Sequence, residues 1–259
     1  MSCKKSFTRS KRMAVARWLS CIGLIAILAG SSFAQAIDAA DADGRDRIDN
    51  TVENREFPIA DFDRVFISGG ATIELLQGKE IRMTARGTAA ILDGLLVESG
   101  GGSLFIDTQD HGAKDLVIRL TFENLQEVVC AGQIVITSAS LRVNDLVIEG
   151  NGSSSIELRG LIADELQVSG LGATKFSLSG QVQRQVIKID GSGAYRAGDL
   201  SSRTVVVSVS GVGDVLLSVE EMLDVEIAGA ARVRYTGSPF VTQRVFGVGS
   251  VHRVGHVQI

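Results

Sequence analysis

Aromatic residues make up only 5% of this 259-residue chain, and histidine and cysteine occur three times each. Each scarcity removes a class of chemistry. Surfaces that hold carbohydrate generally offer aromatic platforms, and few rings are available for one here. Phe176, Tyr195 and Tyr235 fall on or near the apolar pattern and read as core. Cys3 and Cys21 lie in an N-terminal leader, so Cys130 is left alone without a disulfide partner. It follows Val128 and Val129 in an apolar run and reads as a small buried hydrophobe, not a reactive thiol. His252 and His256 have a zinc-binding spacing for a helix, but "VGSVHRVGHVQI" is a glycine-rich β segment where that spacing separates them. His111 stands alone in "TQDHGAK". No Gly-x-Ser-x-Gly elbow with a suitable order of His and Asp occurs, and the glycines of "GNGSSS" and "GSGAYRAG" open no helix, so neither is a phosphate loop. No catalytic, cofactor-binding or metal-ligating residue is assigned, and no cofactor is expected.

Long apolar runs are missing too. "WLSCIGLIAILAG" extends for about a dozen residues, whereas a membrane-spanning helix needs roughly 20. It follows "MSCKKSFTRSKRMAVAR", which carries six Lys and Arg and no acid, and precedes the small-x-small site Ala34-Gln35-Ala36. Residues 1–36 therefore read as a signal peptide cleaved after about Ala36, leaving an extracytoplasmic protein with no transmembrane anchor. The chain has 26 Lys and Arg against 30 Asp and Glu; without the leader's six bases the balance is 20 against 30. A surface of that sign repels phosphate backbones and anionic membranes, so nucleic acid is not an expected partner.

What the sequence has in quantity is glycine, and it is periodic. An apolar-x-Gly-x-Gly figure recurs as "IEGNG" (148–152), "VSGLG" (168–172), "IDGSG" (189–193) and "VSGVG" (209–213), with weaker copies "IAGAA" (227–231) and "VFGVG" (245–249). "VCAGQ" (129–133) and "ISGGA" (67–71) are degenerate earlier members. From residue 129 the steps are 19, 20, 21, 20, 18 and 18. Apolar pairs two apart, such as Leu146/Ile148, Phe176/Leu178 and Val225/Ile227, mark short strands. Helical candidates are almost absent; "SVEEMLDV" is too short and ends in a strand pair. A sandwich does not require a constant step, whereas a solenoid does, because like residues stack on like. The expected fold is an all-β, right-handed parallel β-helix of about 20 residues per coil. Ile148, Val168, Ile189, Val209 and Ile227 are expected in one inward column, with the glycines in a second.

The front is less regular. Residues 37–56, "IDAADADGRDRIDNTVENRE", are acidic and poor in large apolar side chains, and read as a flexible linker. From Asp41 an EF-hand would require Gly at its sixth place and Glu at its twelfth; Asp46 and Val52 stand there, so no calcium loop is expected. Residues 57–259 read as one β-helical domain whose first section, about 61–125, caps the stack.

"FDRVFISGGATIELLQGKE", "VCAGQIVI", "VSGVGD" and "RVRYTGSPFV" together resemble the head GIN domain family of auto-transporter adhesins, from about Phe57 to Gly249. That resemblance implies an exported β-helical protein of bacterial envelopes and supplies no catalytic residues. Family repeats tend towards Ser-Gly-Ser-Gly-Asp, and only Gly213-Asp214 keeps the final Asp.

Two functions follow from such a body. The first is a non-enzymatic envelope or surface module meeting an extended surface polymer or a protein, with self-association through exposed end coils. The second is a polysaccharide lyase or hydrolase, which needs two carboxylates about 5–9.5 Å apart. The outward column Glu149, Ser169, Asp190, Ser210, Ala228 offers only Glu149 and Asp190, two coils apart.

Overall fold

In the computed structural model of the chain, residues 51–109 and 115–255 are described. The signal-peptide reading of residues 1–36, most of the linker reading, and His111 and His256 lie outside them. The described chain is all-β, with one short helix. Its strands are β1 (Val52–Phe57), β2 (Phe62–Gln77) and β3 (Arg82–Thr88), then helix α1 (Ala89–Asp93), followed by β4 (Leu96–Gly100), β5 (Gly102–Asp107) and β6 (Val117–Phe122). After these come β7 (Glu127–Ser138), β8 (Leu141–Arg142), β9 (Asp145–Thr236) and β10 (Phe240–Arg253).

Pairing divides the sheet in two. From β2 onward it is parallel: β2 with β7, β7 with β9, and β9 with β10. Antiparallel pairs occur only towards the front, β1 with β3, β3 with β6, and β4 with β5. Residues 52–56 correct the linker reading, because β1 pairs along its length with β3, from Val52 opposite Thr88 to Phe57 opposite Met83. Its sequence VENREF is polar because most of the strand lies exposed, so composition alone resembled a linker. Helix α1 went unforeseen; five residues are too few for a helical period to show.

The front layer enters the stack out of sequence order. Strand β2 has β7 on one side; on the other it pairs in parallel with β5, then with β6. Ile67 therefore lies beside Cys130, and Gly69 beside Gly132. Residues 78–109 and 115–126 build the adjoining layer and its antiparallel flank before β7 begins.

The parallel part is organised on a line of glycines. Gly132 lies against Gly69, Gly152 against Gly132, and Gly172, Gly191, Gly211, Gly229 and Gly247 follow, each against its predecessor. All have φ between +85° and +145°. A Cβ on Gly132 would sit 2.2 Å from the carbonyl oxygen of Gly69, so both the turn and the packing require glycine.

This line corrects the column inferred from sequence. The stacked glycine is the second one in "IEGNG" and "VSGLG" but the first in "IDGSG" and "VSGVG". Register slips by two residues between Gly172 and Gly191, so Ile189 continues the column of Gly170, not of Val168. Two positions before the turn, that column runs Ile67, Cys130, Gly150, Gly170, Ile189, Val209, Ile227 and Val245. Two positions after it stand Ala71, Ile134, Ser154, Thr174, Gly193, Gly213, Ala231 and Gly249.

The two columns share space. Where the first is large from Ile189 onward, the second is small; a Cβ on Gly193 would meet Ile189 at 2.7 Å and one on Gly213 would meet Val209 at 2.9 Å. At Gly150 and Gly170 the exchange is reversed: the hydroxyls of Ser154 and Thr174 in the second column lie 2.5 and 2.4 Å from the absent Cβ positions, with the Phe176 ring beyond them at 3.5 and 3.2 Å. One glycine of each pair makes the turn, and the other yields volume to a neighbour. Close packing of this kind makes single methylenes matter.

A continuous core runs under both columns, from Phe62 through Phe122, Phe176 and Tyr195 to Val233, with Tyr235 partly buried against it. Full burial of each large aliphatic contributes roughly 1.5–3 kcal/mol. Tyr195 and Phe176 are core residues, as their spacing implied, and their rings lie 5.9 Å apart. The Tyr195 hydroxyl donates to Gln185 Oε1 at 2.7 Å, and the Gln185 amide nitrogen donates to Ser202, so this buried polar group is satisfied internally. Burial holds the Tyr195 phenol far above its ordinary pKa.

Candidate functional site

Outward side chains form ladders along the stack, and several of their charges are matched. Arg203 meets Glu221 at 2.6 Å, Arg234 meets Asp214 at 3.0 Å, and Lys188 meets Asp190 at 3.0 Å. Arg244 reaches Asp224 at 3.7 Å and Glu226 at 3.5 Å. Exposed pairs of this kind add little stability, from about 0 to 1 kcal/mol each. Their effect is to flatten the local field.

The carboxylate column drawn from sequence is not formed. The two-residue slip puts Glu149 in line with Ser169 and Lys188, three places before the turn. Asp190 lies in line with Leu171 and Ser210, one place before it. Glu149 and Asp190 are therefore on different ladders.

Just past the turn glycines a shallow trough of about 780 Å³ crosses several repeats. Its floor is the small-residue column, from Thr174 through Gly193, Gly213 and Ala231 to Gly249. Val212 and Val248 stand on one rim, 59% and 84% exposed, while Lys175, Asp214 and Arg232 are on the other, Asp214 paired with Arg234. From Gly193 onward the trough follows from the volume exchange described above: side chains two places before the turn fill the interior, and those two places after shrink. Thr174 Oγ1 is buried under its floor with no hydrogen-bond partner among the described residues. A second concavity of about 730 Å³ lies near the front, with Asp61, Asp63, Glu123 and Asp145 beside Arg142. Among the described residues no group of three or more His, Cys, Asp or Glu is placed to hold a metal ion.

The last strand forms a third surface. β10 pairs with β9 through fourteen consecutive residues without a register break, and at the end of the sheet it has no other neighbour among the described strands. Phe240, Phe246 and Val248 project from it, 73%, 66% and 84% exposed. The equivalent residues one repeat earlier are Met222, Ala228 and Ala230.

The family model "Putative auto-transporter adhesin, head GIN domain" matches residues 61–239, most of the described chain. The chain belongs to this family. Among solved structures, a putative adhesin from Bacteroides fragilis NCTC 9343 superposes with a TM-score of 0.74 at 22% identity, covering 79% of this chain and 97% of that one. A putative lipid binding protein from Parabacteroides distasonis ATCC 8503 gives 0.66 at 23%, covering 80% and 98%. A putative adhesin from Parabacteroides merdae ATCC 43184 gives 0.59 at 17%, covering 80% and 97%. At these identities the likeness is one of fold. No curated protein matches the chain at a significant level.

Within this head GIN domain the residues weighed from sequence are dispersed. Cys130 is buried in the core column, its thiol raised from 9.0 to about 11 by burial, with Ser154 and the backbone of Asn151 drawing it partly back. His252 lies exposed on β10, opposite Arg234. The trough escaped the sequence reading, which expected exposed end coils but did not place them on β10. The edge had a visible signal, Phe246 standing in "VFGVG" where "VSGVG" has Ser210. The trough had none, because its floor depends on which glycine of each pair makes the turn.

Proposed function

We propose that this head GIN domain is an exported, non-enzymatic module of the cell envelope or surface, built as a right-handed parallel β-helix. The parallel, glycine-on-glycine stacking supports the β-helix, and parallel crossovers are right-handed in nearly all proteins. Membership of a family described as adhesins supports the surface role. Among the described residues no helix is long and apolar enough to cross a membrane.

The observation that carries the binding role is the trough. It is open, floored by small residues, and runs along the stack, so it suits an extended chain of polymer or polypeptide lying across successive repeats. Valines on one rim supply apolar contact, while on the other Lys175 and Arg232, with Asp214 between them engaged by Arg234, favour a partner bearing acidic or hydroxyl groups.

The test joins location to binding. Proteinase K added to intact host cells should degrade the chain, or do so once an outer membrane is permeabilised. The purified full chain should be retained on an array of acidic and neutral glycans, with retention lost in Val212→Glu/Arg232→Glu. Recovery only from the cytosol defeats the export reading. Release of sugar from polyuronates by the wild type, abolished in those same variants, defeats the non-enzymatic one.

A further inference from the structure

The two ends of the sheet are built differently. Towards the front the edge strands are short, six residues in β1 and five in β4, and they carry Glu53, Glu56 and Glu98. Short charged edges are how natural sheets block strand addition. β10 has none of these protections except Arg244 and Arg253: it is fourteen residues long, lacks proline, pairs without a bulge, and presents two phenylalanines.

We infer that β10 is a dimerisation edge, and that its partner is the β10 edge of a second copy, paired antiparallel about a two-fold axis at Gly247. Three observations select a second copy. A fourteen-residue edge finds no match in the front strands of another molecule, which are less than half its length, so head-to-tail growth is disfavoured.

Register is the second. With Gly247 on the axis, the stacked turn glycines continue across the interface, and inward positions face inward positions. Val245 then faces Gly249 of the second copy, the same large-small exchange found inside the stack, and Phe246 faces Val248. Arg244 faces Ser250 and Arg253 faces Val241, so no two cations meet. The interior chemistry is the third. Val241 and Val251 continue the columns of Leu223 and Val233, both fully buried, yet are themselves only partly covered.

Size sets the strength. Fourteen residues at about 3.3 Å and a sheet thickness of about 10 Å give roughly 1,000 Å² of total buried surface for the pair. That is the lower limit of specific interfaces, so the dimer exchanges with monomer as concentration changes. Because a two-fold contact uses the β10 edge of both copies, the assembly closes at two. This inference does not depend on the surface role: a monomer would leave that role intact, and a cytosolic dimer would leave the edge intact.

The experiment is sedimentation of the full chain across a wide concentration range, with hydrogen exchange on β10. The expected result is a monomer–dimer equilibrium, with β10 edge amides protected only at high concentration. Phe246→Asp/Val248→Asp should sediment as monomer throughout with an unchanged circular dichroism spectrum, because both side chains lie in solvent. Glu53→Arg/Glu98→Arg at the front should dimerise like the wild type. A wild-type monomer at every concentration overturns the inference, as does open-ended growth or a dimer that survives the β10 substitutions. Protection of β10 in the dilute monomer also overturns it, since the chain's own termini would then cover the edge.

Discussion

Substituting one methyl group on the turn line should cost more than almost any surface change, and Gly211→Ala is the clearest case. Gly211 has φ +128°, and a Cβ there would lie 2.3 Å from the carbonyl oxygen of Gly191. Two costs add. An L-residue at such a φ is strained by about 1–3 kcal/mol. Relieving the contact requires separating two backbones, and overpacking of this kind costs about 1–3 kcal/mol more. Gly229 on the far side is equally close to Gly211, so the strand has no free direction in which to relax. A total of about 4 kcal/mol is expected. Gly101→Ala is the control: its φ is +59°, and nothing lies within 4 Å of the new methyl, so only the strain of about 1–2 kcal/mol applies. Gly100→Ala, with the same open surroundings and no positive φ, should be neutral or slightly stabilising. Urea midpoints of the three variants, followed by circular dichroism, measure the ranking. If Gly211→Ala unfolds at the same midpoint as Gly101→Ala, the layers are not in backbone contact at the turns and the stacking geometry is wrong.

Two further outcomes are expected. Thr174→Val should raise stability by about 1 kcal/mol, because it removes a buried hydroxyl without a partner among the described residues while keeping the side chain's shape; a clear loss in urea titration would mean the hydroxyl is hydrogen-bonded. The Cys130 thiol is raised from 9.0 to about 11 by burial, so the unfolded chain ionises it first and the native state holds the proton longer. Its contribution to stability is therefore complete below about pH 9 and is lost as pH rises towards 11. Iodoacetamide at about pH 8 should modify the peptide bearing Cys130 only after unfolding, as mass spectrometry would read; rapid native labelling refutes the burial.

A constant step and paired apolar residues are statements about the backbone, and the observed parallel pairings of β7, β9 and β10 agree with them. The sequence could not disclose the register slip. Gly-x-Gly is symmetric as text, and whether its first or second glycine turns goes with which column holds the side chain: Ser154, Thr174 and the Phe176 ring take the space at Gly150 and Gly170, whereas Ile189 and Val209 reclaim it later. The misplaced Glu149–Asp190 column is a direct result. The front layer was hidden for another reason. Between Gly69 and Gly132 the chain leaves to build β3 to β6, so neighbours in space are far apart in sequence and no period survives. Strand β1 was missed because an edge strand in solvent has no apolar face to declare itself.

The line of turn glycines also bears on how such chains lengthen. A segment such as residues 192–211 starts and finishes at equivalent points of the backbone path. A tandem duplication of it would insert a rung already complementary to what lies above and below, about 4.8 Å taller, leaving both termini of the sheet unchanged. Inserted length should thus come in whole units of 18 to 20 residues, the spacing of the turn glycines from Gly132 to Gly247, with odd-sized insertions confined to the bends outside the glycine line.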